Sequence, residues 1–185
     1  MKKFVAESWL VVTMGVVFAC LLAGTQITLS ERISVNKQRA LNQAVAEVVP
    51  NLERSEELEI DGNRVFKCFD ANDELTGWAV QASGTGFVDK ITLVVGLSAD
   101  GPEITGLKVI EDLETPGLGN KIEGEWAYQY QGLDATRGLT VVKGSRSAAN
   151  NEIQAITGAT YSSTYVTDIV NDVLVRIRPK LAEHR

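Results

Sequence analysis

A turn of small and hydroxylated residues near the end of the chain reads Thr157-Gly158-Ala159-Thr160-Tyr161-Ser162-Ser163. It follows Ile153 and Ile156, which belong to a short run that favours a β-strand. Gly158 and Ala159 permit a sharp change of chain direction, because glycine reaches backbone dihedrals that other residues avoid. Apolar residues then recur at helical spacing, at Val166, Ile169, Val170, Val173, Leu174 and Ile177. The pattern predicts a strand, a tight turn and an amphipathic helix.

The start of that helix predicts a site for an anion. Ser162, Ser163 and Thr164 are good N-cap residues, so Thr160 is expected just ahead of the first helical turn. Free N–H groups and the positive end of the helix dipole make such a position favourable for a phosphate. The Thr160 hydroxyl could contact a bound ligand, or it could itself be esterified to a phosphate. The alternative is a turn that caps a helix and binds no ligand.

A second unusual loop lies upstream and reads Glu114-Thr115-Pro116-Gly117-Leu118-Gly119. Pro116 fixes one backbone dihedral, while Gly117 and Gly119 permit close approach of another molecule to the backbone. Such a loop can lie flat against a planar ring and offer backbone N–H groups to its oxygens. The alternative is a rigid turn that leads into the segment around Trp126.

Both stretches resemble signatures of the FMN-binding domain family. The run Thr157–Thr160 is similar to its [Ser/Thr]-Gly-Ala-[Ser/Thr] motif, and the run Glu114–Ile122 is similar to a second family block, with Trp126 shortly after it. Together with an N-terminal apolar segment, the chain resembles the G subunit of the Rnf electron-transport complex. The C subunit of the sodium-pumping NADH:quinone reductase is a more distant relative. The resemblance implies FMN, held covalently through a phosphoester to Thr160.

The candidate cofactor-binding residues follow from these two blocks and one further position. Around Thr160, the covalent attachment residue, they are Thr157, Gly158, Ala159 and Ser162, and in the upstream loop they are Glu114, Thr115, Gly117, Leu118 and Gly119. Lys143, at the end of a predicted strand, could pair with the phosphate or could simply be solvated. The chain departs from the family pattern at Gln154, where an aspartate is expected, at Tyr161, where an aliphatic residue is more usual, and at Ser162, where a threonine is more usual. A flavin transferase of the ApbE type is implied as the modifying enzyme.

Composition excludes several other functions. The chain has 185 residues and a net charge of -6, which argues against a nucleic-acid surface. Its one histidine, His184, nearly excludes a Ser-His-Asp triad or a histidine metal site. Cys20 and Cys68 form no Cys-x-x-Cys pair, so zinc or iron–sulfur ligation by this chain is not expected. We expect no catalytic residue and no metal, and any redox role must use a borrowed cofactor.

The N-terminal region predicts a membrane anchor. Residues 9–29 are mostly apolar and uncharged, which is long enough for one transmembrane helix, with residues 1–8 as a cytoplasmic N-terminus. A cleaved signal peptide is the alternative interpretation. Lys2 and Lys3 on one side and Arg32, Lys37 and Arg39 on the other give no clear orientation. The resemblance implies a single-pass protein of the inner (cytoplasmic) membrane whose soluble domain is extracytoplasmic.

The rest of the chain predicts an α+β fold. Residues 30–62 are expected to form a stalk helix that ends at Pro50, followed by an acidic linker or loop from residue 51 to residue 62. The alternative is that this helix is the ordinary first helix of the domain. The FMN-binding domain would then occupy residues 63–185. Four strands are expected to form a largely antiparallel sheet flanked by helices, at Val65–Phe69, Trp78–Ala82, Ile91–Leu97 and Ile104–Ile110. Residues 83–87 predict a glycine-rich hairpin bend or a flavin contact, residues 123–131 a short helix packed in the core, and residues 139–142 a short strand.

The resemblance implies a relay function rather than a complete active site. The chain would be the electron-relay subunit of a membrane-bound ferredoxin:NAD oxidoreductase coupled to sodium or proton translocation. Its partners would be the other subunits of that complex. Two alternatives remain open at this stage. The domain could hold FMN noncovalently in another membrane reductase, or the chain could be a membrane-anchored assembly or interaction protein.

Overall fold

The computed structural model describes residues 2–184. Met1, the first residue of the predicted cytoplasmic N-terminus, and Arg185, the last residue of the predicted FMN-binding domain, lie outside the described residues. Its first element is one continuous helix, α1, at Lys2–Val48. Among the described residues this is the one helix long and apolar enough to cross a membrane, by length and composition. The predicted membrane segment and stalk are therefore parts of a single helix, which ends two residues before Pro50. The membrane bounds 9–29 stay a prediction.

Hydroxyl groups within the apolar part of α1 are satisfied by the helix itself. Thr13 Oγ1 donates to the Trp9 carbonyl at 2.7 Å, and Thr28 Oγ1 donates to the Gly24 carbonyl at 2.8 Å. Thr25 Oγ1 donates to the Leu21 carbonyl at 3.0 Å. Side-chain bonds to carbonyls one turn earlier let such residues occupy a helix without water as a partner. The threonines that weaken the apolar character of this segment are therefore compatible with a membrane span.

A five-stranded antiparallel sheet forms the centre of the domain, with its strands in sequence order. The strands are β1 Arg54–Ile60, β2 Asn63–Phe69, β3 Leu75–Thr85, β4 Lys90–Ser98 and β5 Ile104–Glu111. The predicted α+β class and the four-stranded antiparallel meander are confirmed by β2 to β5. Residues 83–85 continue β3, so the predicted bend is confined to the turn that begins at Gly86, whose N–H bonds the Asp89 carbonyl at 2.7 Å.

The interpretation of residues 51–62 as a linker or loop is wrong for Arg54–Ile60, which forms β1 and pairs with β2 along its whole length. The turn between them is Asp61-Gly62, with φ of 50° and 75°. Positive φ at both central residues is the geometry of the tightest hairpin connection, and Asp-Gly is a favoured sequence for it. That dipeptide was the available signal for β1, but the run of glutamates in the strand obscured it.

One face of the sheet receives the end of α1. Buried residues of this layer are Leu41, Ala44, Val45, Val48 and Val49 from the helix end, with Phe66, Cys68, Ala79 and Val94 from the sheet. Gly96 and Gly106 face each other across β4 and β5 beneath Val48. A Cβ atom on Gly96 would lie 2.3 Å from the Val48 carbonyl oxygen, so only glycine lets the helix end approach this closely. Thr105 Oγ1 fixes the contact by donating to the same carbonyl at 2.5 Å.

The opposite face of the sheet carries the main core and the C-terminal helix α2, Thr160–Asp172. The helical path continues through a π-turn at Val173–Ile177 into α3, Arg178–Leu181. Helix α2 packs on β3 at Gly84, where an added Cβ would lie 2.5 Å from the Ile169 side chain. Two 3-10 helices cover the same layer, at Gly119–Glu123 and Glu125–Tyr130, in place of the single short helix expected at 123–131.

A small parallel pair of strands precedes the C-terminal helix and positions its first residue. It consists of β6, Thr140–Val142, and β7, Glu152–Gln154. β6 confirms the strand predicted at 139–142, and β7 lies in the β-favouring run before the Thr157 turn. The chain leaves β7 and enters α2 within six residues, which fixes the start of the helix at the edge of the core.

Candidate functional site

The segment between β7 and α2 has the predicted strand–turn–helix arrangement. Gly158 adopts φ of +84°, a conformation that L side chains rarely occupy, and Thr160 is the first residue of α2. The predicted N-caps are wrong, because Ser162 and Ser163 are buried inside the first helical turn. Ser163 Oγ instead ties the turn together, since it accepts from the Ile156 N–H and donates to the Ala159 carbonyl, both at 3.0 Å. The Thr160 side chain is half-buried.

The start of α2 has donors to offer a ligand. Among the described residues no side chain caps the helix, whose N-cap residue is Ala159. The first intrahelical bond there runs from the Ser163 N–H to the Ala159 carbonyl, at 3.1 Å. The N–H groups of Thr160, Tyr161 and Ser162 precede that bond, and such groups need a partner from outside the helix. An anion placed beside Thr160 would meet both these donors and the positive end of the helix dipole.

A buried carboxylate, that of Glu114, connects three separate segments of the chain. Its Oε1 accepts from the backbone N–H groups of Phe87 at 2.7 Å and Val88 at 3.2 Å. Its Oε2 accepts from Ser162 Oγ at 2.7 Å. The residue is 4 % exposed, so these hydrogen bonds form largely out of contact with water. Glu114 therefore fixes the β3–β4 turn against the start of α2.

Two glycines leave room for this carboxylate. A Cβ atom on Gly86 would lie 2.6 Å from Glu114 Oε1, and a Cβ atom on Gly119 would lie 2.8 Å from Glu114 Oε2. Ser162 Oγ would also be 2.9 Å from the added atom at Gly119. All three distances are shorter than a real Cβ atom allows. Gly119 of the upstream loop is thus required by the contact with Glu114, whether or not a ligand also approaches its backbone.

The upstream loop folds back on itself. The Gly117 N–H donates to Asn120 Oδ1 at 2.7 Å, and the N–H groups of Leu118 and Asn120 donate to the Thr115 carbonyl at 3.1 and 3.3 Å. Gly117 adopts φ of +78° at the tip. These three donors are already engaged within the loop, so the expectation that they turn toward flavin oxygens finds no support in this geometry. The loop presents the side chain of Leu118 instead.

A cavity of about 150 Å³ opens between the two predicted motifs and the β3–β4 turn. Its lining contains seven of the predicted site residues, Thr115, Leu118, Gly119, Gly158, Ala159, Thr160 and Ser162, together with Phe87 and Tyr161. Pockets that enclose a small organic ligand occupy roughly 300–1,000 Å³. The cavity can therefore enclose only part of a molecule as large as a mononucleotide, and the remainder must lie on the surface.

The other predicted site residues lie outside this lining. Glu114 is behind the cavity wall, Thr157 and Gly117 are exposed at the tips of their turns, and Lys143 is exposed directly after β6. From the sequence, Tyr161 was not among the candidate site residues, and Phe87 was named only as the end of the 83–87 segment, a hairpin bend or a flavin contact. The signal for Tyr161 was its place beside Thr160, where it replaces the more usual aliphatic side chain. The signal for Phe87 was the glycine-rich run before it, but its place at the cavity depends on the turn that Glu114 fixes.

The aromatic residues after the upstream loop belong to the core, as predicted. Tyr130 is fully buried and its hydroxyl bonds Thr167 Oγ1 at 2.7 Å, while burial strongly raises the pKa of its phenol. Trp126 packs edge-on against Tyr130, with ring centroids 5.5 Å apart. Its Nε1 donates to the carbonyl of Gln154 at 2.6 Å and so fixes β7 ahead of the Thr157 turn. The exposed Gln154 side chain contributes little to that contact.

A pair of carboxyl groups supports the base of the upstream loop. Asp112 Oδ1 accepts from the Glu114 N–H at 2.8 Å. Burial and the neighbouring Asp112 carboxyl raise the pKa of Glu123. Both effects favour the neutral form of Glu123.

Comparison with known proteins agrees with this arrangement. A profile of the FMN-binding domain family matches residues 86–175, which run from the Gly86 turn to the π-turn after α2. The chain is 45% identical over 102 residues to the G subunit of the Na(+)-translocating ferredoxin:NAD(+) oxidoreductase complex of Acetobacterium woodii. That match covers 55% of this chain and 49% of the relative, so the chain spans about half the length of that protein.

A second relative matches almost end to end. The G subunit of the ion-translocating oxidoreductase complex of Methanosarcina acetivorans is 30% identical over 171 residues, which is 88% of each chain. Among solved structures, NqrC of Shewanella oneidensis superimposes with a TM-score of 0.60 at 23% identity, over 75% of this chain and 73% of the other. The structural match supports the fold, a long apolar helix followed by an antiparallel sheet with helices.

Proposed function

The chain belongs to the family of G subunits of ion-translocating oxidoreductase complexes and contains an FMN-binding domain, and we propose that it is an electron-relay subunit whose FMN is attached covalently to Thr160. The observation that carries the proposal is the position of Thr160. It is the first residue of α2, at a helix start with no side-chain cap among the described residues, and it lines the cavity between the two motifs.

The residues at this position fit the phosphate end of FMN. A phosphoester on Thr160 would lie beside the uncapped N–H groups of α2, which are suited to a negatively charged group. The neighbouring Gly158 and Ala159 add no bulky side chain, and Ser162 and Ser163 keep the first turn in shape through their bonds to Glu114 and Ala159. Lys143 remains a candidate for a longer-range electrostatic contact with the phosphate.

Attachment requires an activated flavin and a transferase. In the reaction we propose, the Thr160 oxygen bonds the FMN phosphorus of a flavin dinucleotide, the phosphoanhydride bond breaks, adenylate leaves and the hydroxyl proton passes to solvent. No electrons are transferred in this step. When bound, FMN supplies reversible one- and two-electron redox chemistry, and the protein supplies attachment, position and electrostatics.

The small cavity supports a relay rather than an enclosed active site. Because about 150 Å³ cannot enclose the whole cofactor, part of the ring system stays open to another protein. The relatives are subunits of multi-subunit oxidoreductase complexes, so we propose that electrons pass to and from other subunits of such a complex. The wider reaction we propose is electron transfer between ferredoxin and NAD, coupled to sodium or proton movement, as the name of the Acetobacterium woodii relative describes for that protein.

Helix α1 provides the candidate membrane anchor for this role. We propose a single pass through the inner membrane, with the domain on the extracytoplasmic side. On that side a noncovalent cofactor would be diluted away after each dissociation, whereas a phosphoester retains it. Labelling of Cys68 is unsuitable for testing the side because that thiol is buried. An exposed Lys143→Cys variant, treated with a membrane-impermeant thiol reagent in intact cells, would report it.

The proposal is tested by the intact mass of the full-length protein purified from its own membranes, with the flavin transferase present. We expect an added mass equal to FMN less water in the wild type and in Thr160→Ser, and no addition in Thr160→Ala. Thr157→Ala is the matched control, because it removes the other threonine hydroxyl of the motif and should keep the addition.

Other results would refute the proposal in distinguishable ways. Addition retained in Thr160→Ala and lost in Thr157→Ala would move the attachment residue. Flavin that is present but released by denaturation would indicate noncovalent binding. Native membranes that yield an unmodified chain with no flavin would favour the assembly or interaction role.

A further inference from the structure

Large apolar side chains that are exposed to solvent concentrate around the cavity. Among the described residues after α1, the exposed members of this class are Phe87, Val88, Leu113, Leu118 and Tyr161, with Tyr128 and Val175 elsewhere on the domain. The first five come from the β3–β4 turn, the upstream loop and the start of α2. Those are the same three segments that Glu114 joins. The exposed apolar surface of the domain is thus centred on the site.

Two of these side chains already form an ordered aromatic surface. The rings of Phe87 and Tyr161 stack with their centroids 5.8 Å apart and an interplanar angle of 14°. Their exposed fractions are 59% and 67%, so much of each ring still faces solvent. Both also line the cavity that contains Thr160. Aromatic rings of this size gain from further stacking when another flat ring covers them.

We propose that Phe87 and Tyr161 form an aromatic platform on which the isoalloxazine ring of the attached FMN lies. This inference rests on the proposed function. Tyr161 follows Thr160 directly, so a ring tethered through the phosphate on Thr160 starts beside the platform. The cavity holds only part of the cofactor, and the platform is the flat apolar surface continuous with it.

Glu114 connects the two segments that carry the rings. It accepts from the Phe87 N–H through Oε1 and from Ser162, the residue after Tyr161, through Oε2. One buried carboxylate thereby bonds the backbone of Phe87 and the side chain next to Tyr161, although these lie in segments far apart in sequence. The platform is accordingly formed by the fold before any flavin is attached, which limits the side-chain freedom lost when the ring settles on it.

The platform has an optical signature. A phenol in van der Waals contact with an excited flavin donates one electron to it and then takes the electron back, with no net chemistry, and this exchange quenches flavin emission. A phenylalanine ring is much harder to oxidise and does not quench in this way. Emission therefore reports contact between Tyr161 and the ring, independently of any turnover.

The experiment compares flavin emission yield and lifetime in the full-length, flavinylated protein with those of free FMN. We expect wild-type emission to be quenched and Tyr161→Leu to raise it by about twofold or more, while Tyr161→Trp restores the quenching. Phe87→Leu should raise emission partly, because it removes the support for Tyr161. The matched control is Tyr128→Leu, which removes a tyrosine of similar exposure, 72%, outside the cavity lining and should change nothing.

The intact mass of every sample separates failure of the aromatic platform from failure of flavin attachment. Flavin mass present with emission equal to free FMN, or with emission unaffected by Tyr161→Leu, would overturn the platform and leave the relay intact. A mass without flavin in the wild type from native membranes would overturn both. Flavin lost only in Tyr161→Leu would be resolved by Tyr161→Phe. The platform then requires Tyr161→Phe to keep the flavin mass and to emit more strongly than wild type, and any other outcome would overturn it.

Discussion

Removal of the Glu114 carboxylate is expected to destabilise the domain at the candidate site. In Glu114→Ala, the backbone N–H groups of Phe87 and Val88 and the hydroxyl of Ser162 all lose their acceptor. A hydrogen bond to a charged group contributes about 1.5–3 kcal/mol net. Water can replace the acceptor for the two exposed turn residues, but Ser162 is only 3% exposed. We therefore expect the free energy of unfolding to fall by about 2–4 kcal/mol.

Glu114→Gln should have a smaller effect. Its amide oxygen can still accept from the two backbone N–H groups, while its NH₂ group meets Ser162 Oγ, which must then act as the acceptor. The loss expected is about 1–2 kcal/mol, the difference between charged and neutral hydrogen bonds. The exposed Glu74 in the turn between β2 and β3 provides the control, since Glu74→Ala removes a carboxylate of the same type without a buried contact.

The assay is urea unfolding of the full-length protein in detergent, followed by tryptophan fluorescence, together with amide hydrogen exchange. Trp78, which is fully buried in the core, reports the unfolding of the domain. The exchange of the Phe87 and Val88 amides should accelerate in Glu114→Ala and not in Glu74→Ala. If Glu114→Ala matched Glu74→Ala to within about 0.5 kcal/mol and left both amides equally protected, the connecting role of this carboxylate would be refuted.

Three further results are expected. Gly119→Ala should lower the free energy of unfolding by about 1–3 kcal/mol and reduce flavin attachment, because its Cβ atom would press on Glu114 and Ser162. The urea midpoint measures the loss of stability, and the intact mass measures the loss of flavin. Hydrogen bonds from Thr136 and Arg137 lower the pKa of Asp134 to about 2 from its usual 3.8. The ionised side chain therefore stabilises the folded state above pH 3.8, and this contribution is lost as the pH falls toward 2. Asp134→Asn should accordingly flatten the acid limb of a plot of melting temperature against pH. The Cys68 thiol, with a pKa raised to about 12 by burial, should resist iodoacetamide at neutral pH in the folded protein and react after unfolding, as mass spectrometry of the peptide would show.

Each of these results has an outcome that would contradict its reasoning. Gly119→Ala with wild-type stability would mean that the loop can shift away from Glu114 at little cost. An unchanged acid limb in Asp134→Asn would show that the pKa of Asp134 is the same in the folded and unfolded states, so that its hydrogen bonds contribute nothing to the acid stability. Rapid alkylation of Cys68 under native conditions would show that the layer between the end of α1 and the sheet opens frequently.

Local sequence patterns were sufficient for the individual elements. The alternation and apolar content of β2 to β5 predicted four strands of the sheet, and the helical spacing from Val166 to Ile177 predicted the apolar face of α2 and of the π-turn that follows it. These signals are reliable because each depends on side chains only a few residues apart. The same reasoning failed at β1, where strand pairing with β2 and the Asp61-Gly62 turn outweigh an acidic, loop-like composition.

By itself the sequence determined the motif around Thr160, the presence of an apolar helix and the α+β class. The tertiary structure alone decided how the site is assembled. Glu114 lies 27 residues from Phe87 and 48 residues from Ser162, yet it bonds both. No periodicity or short motif encodes contacts of that range, because they depend on how the sheet, the upstream loop and α2 pack against one another. The stacking of Phe87 on Tyr161 beside the attachment residue follows from that packing.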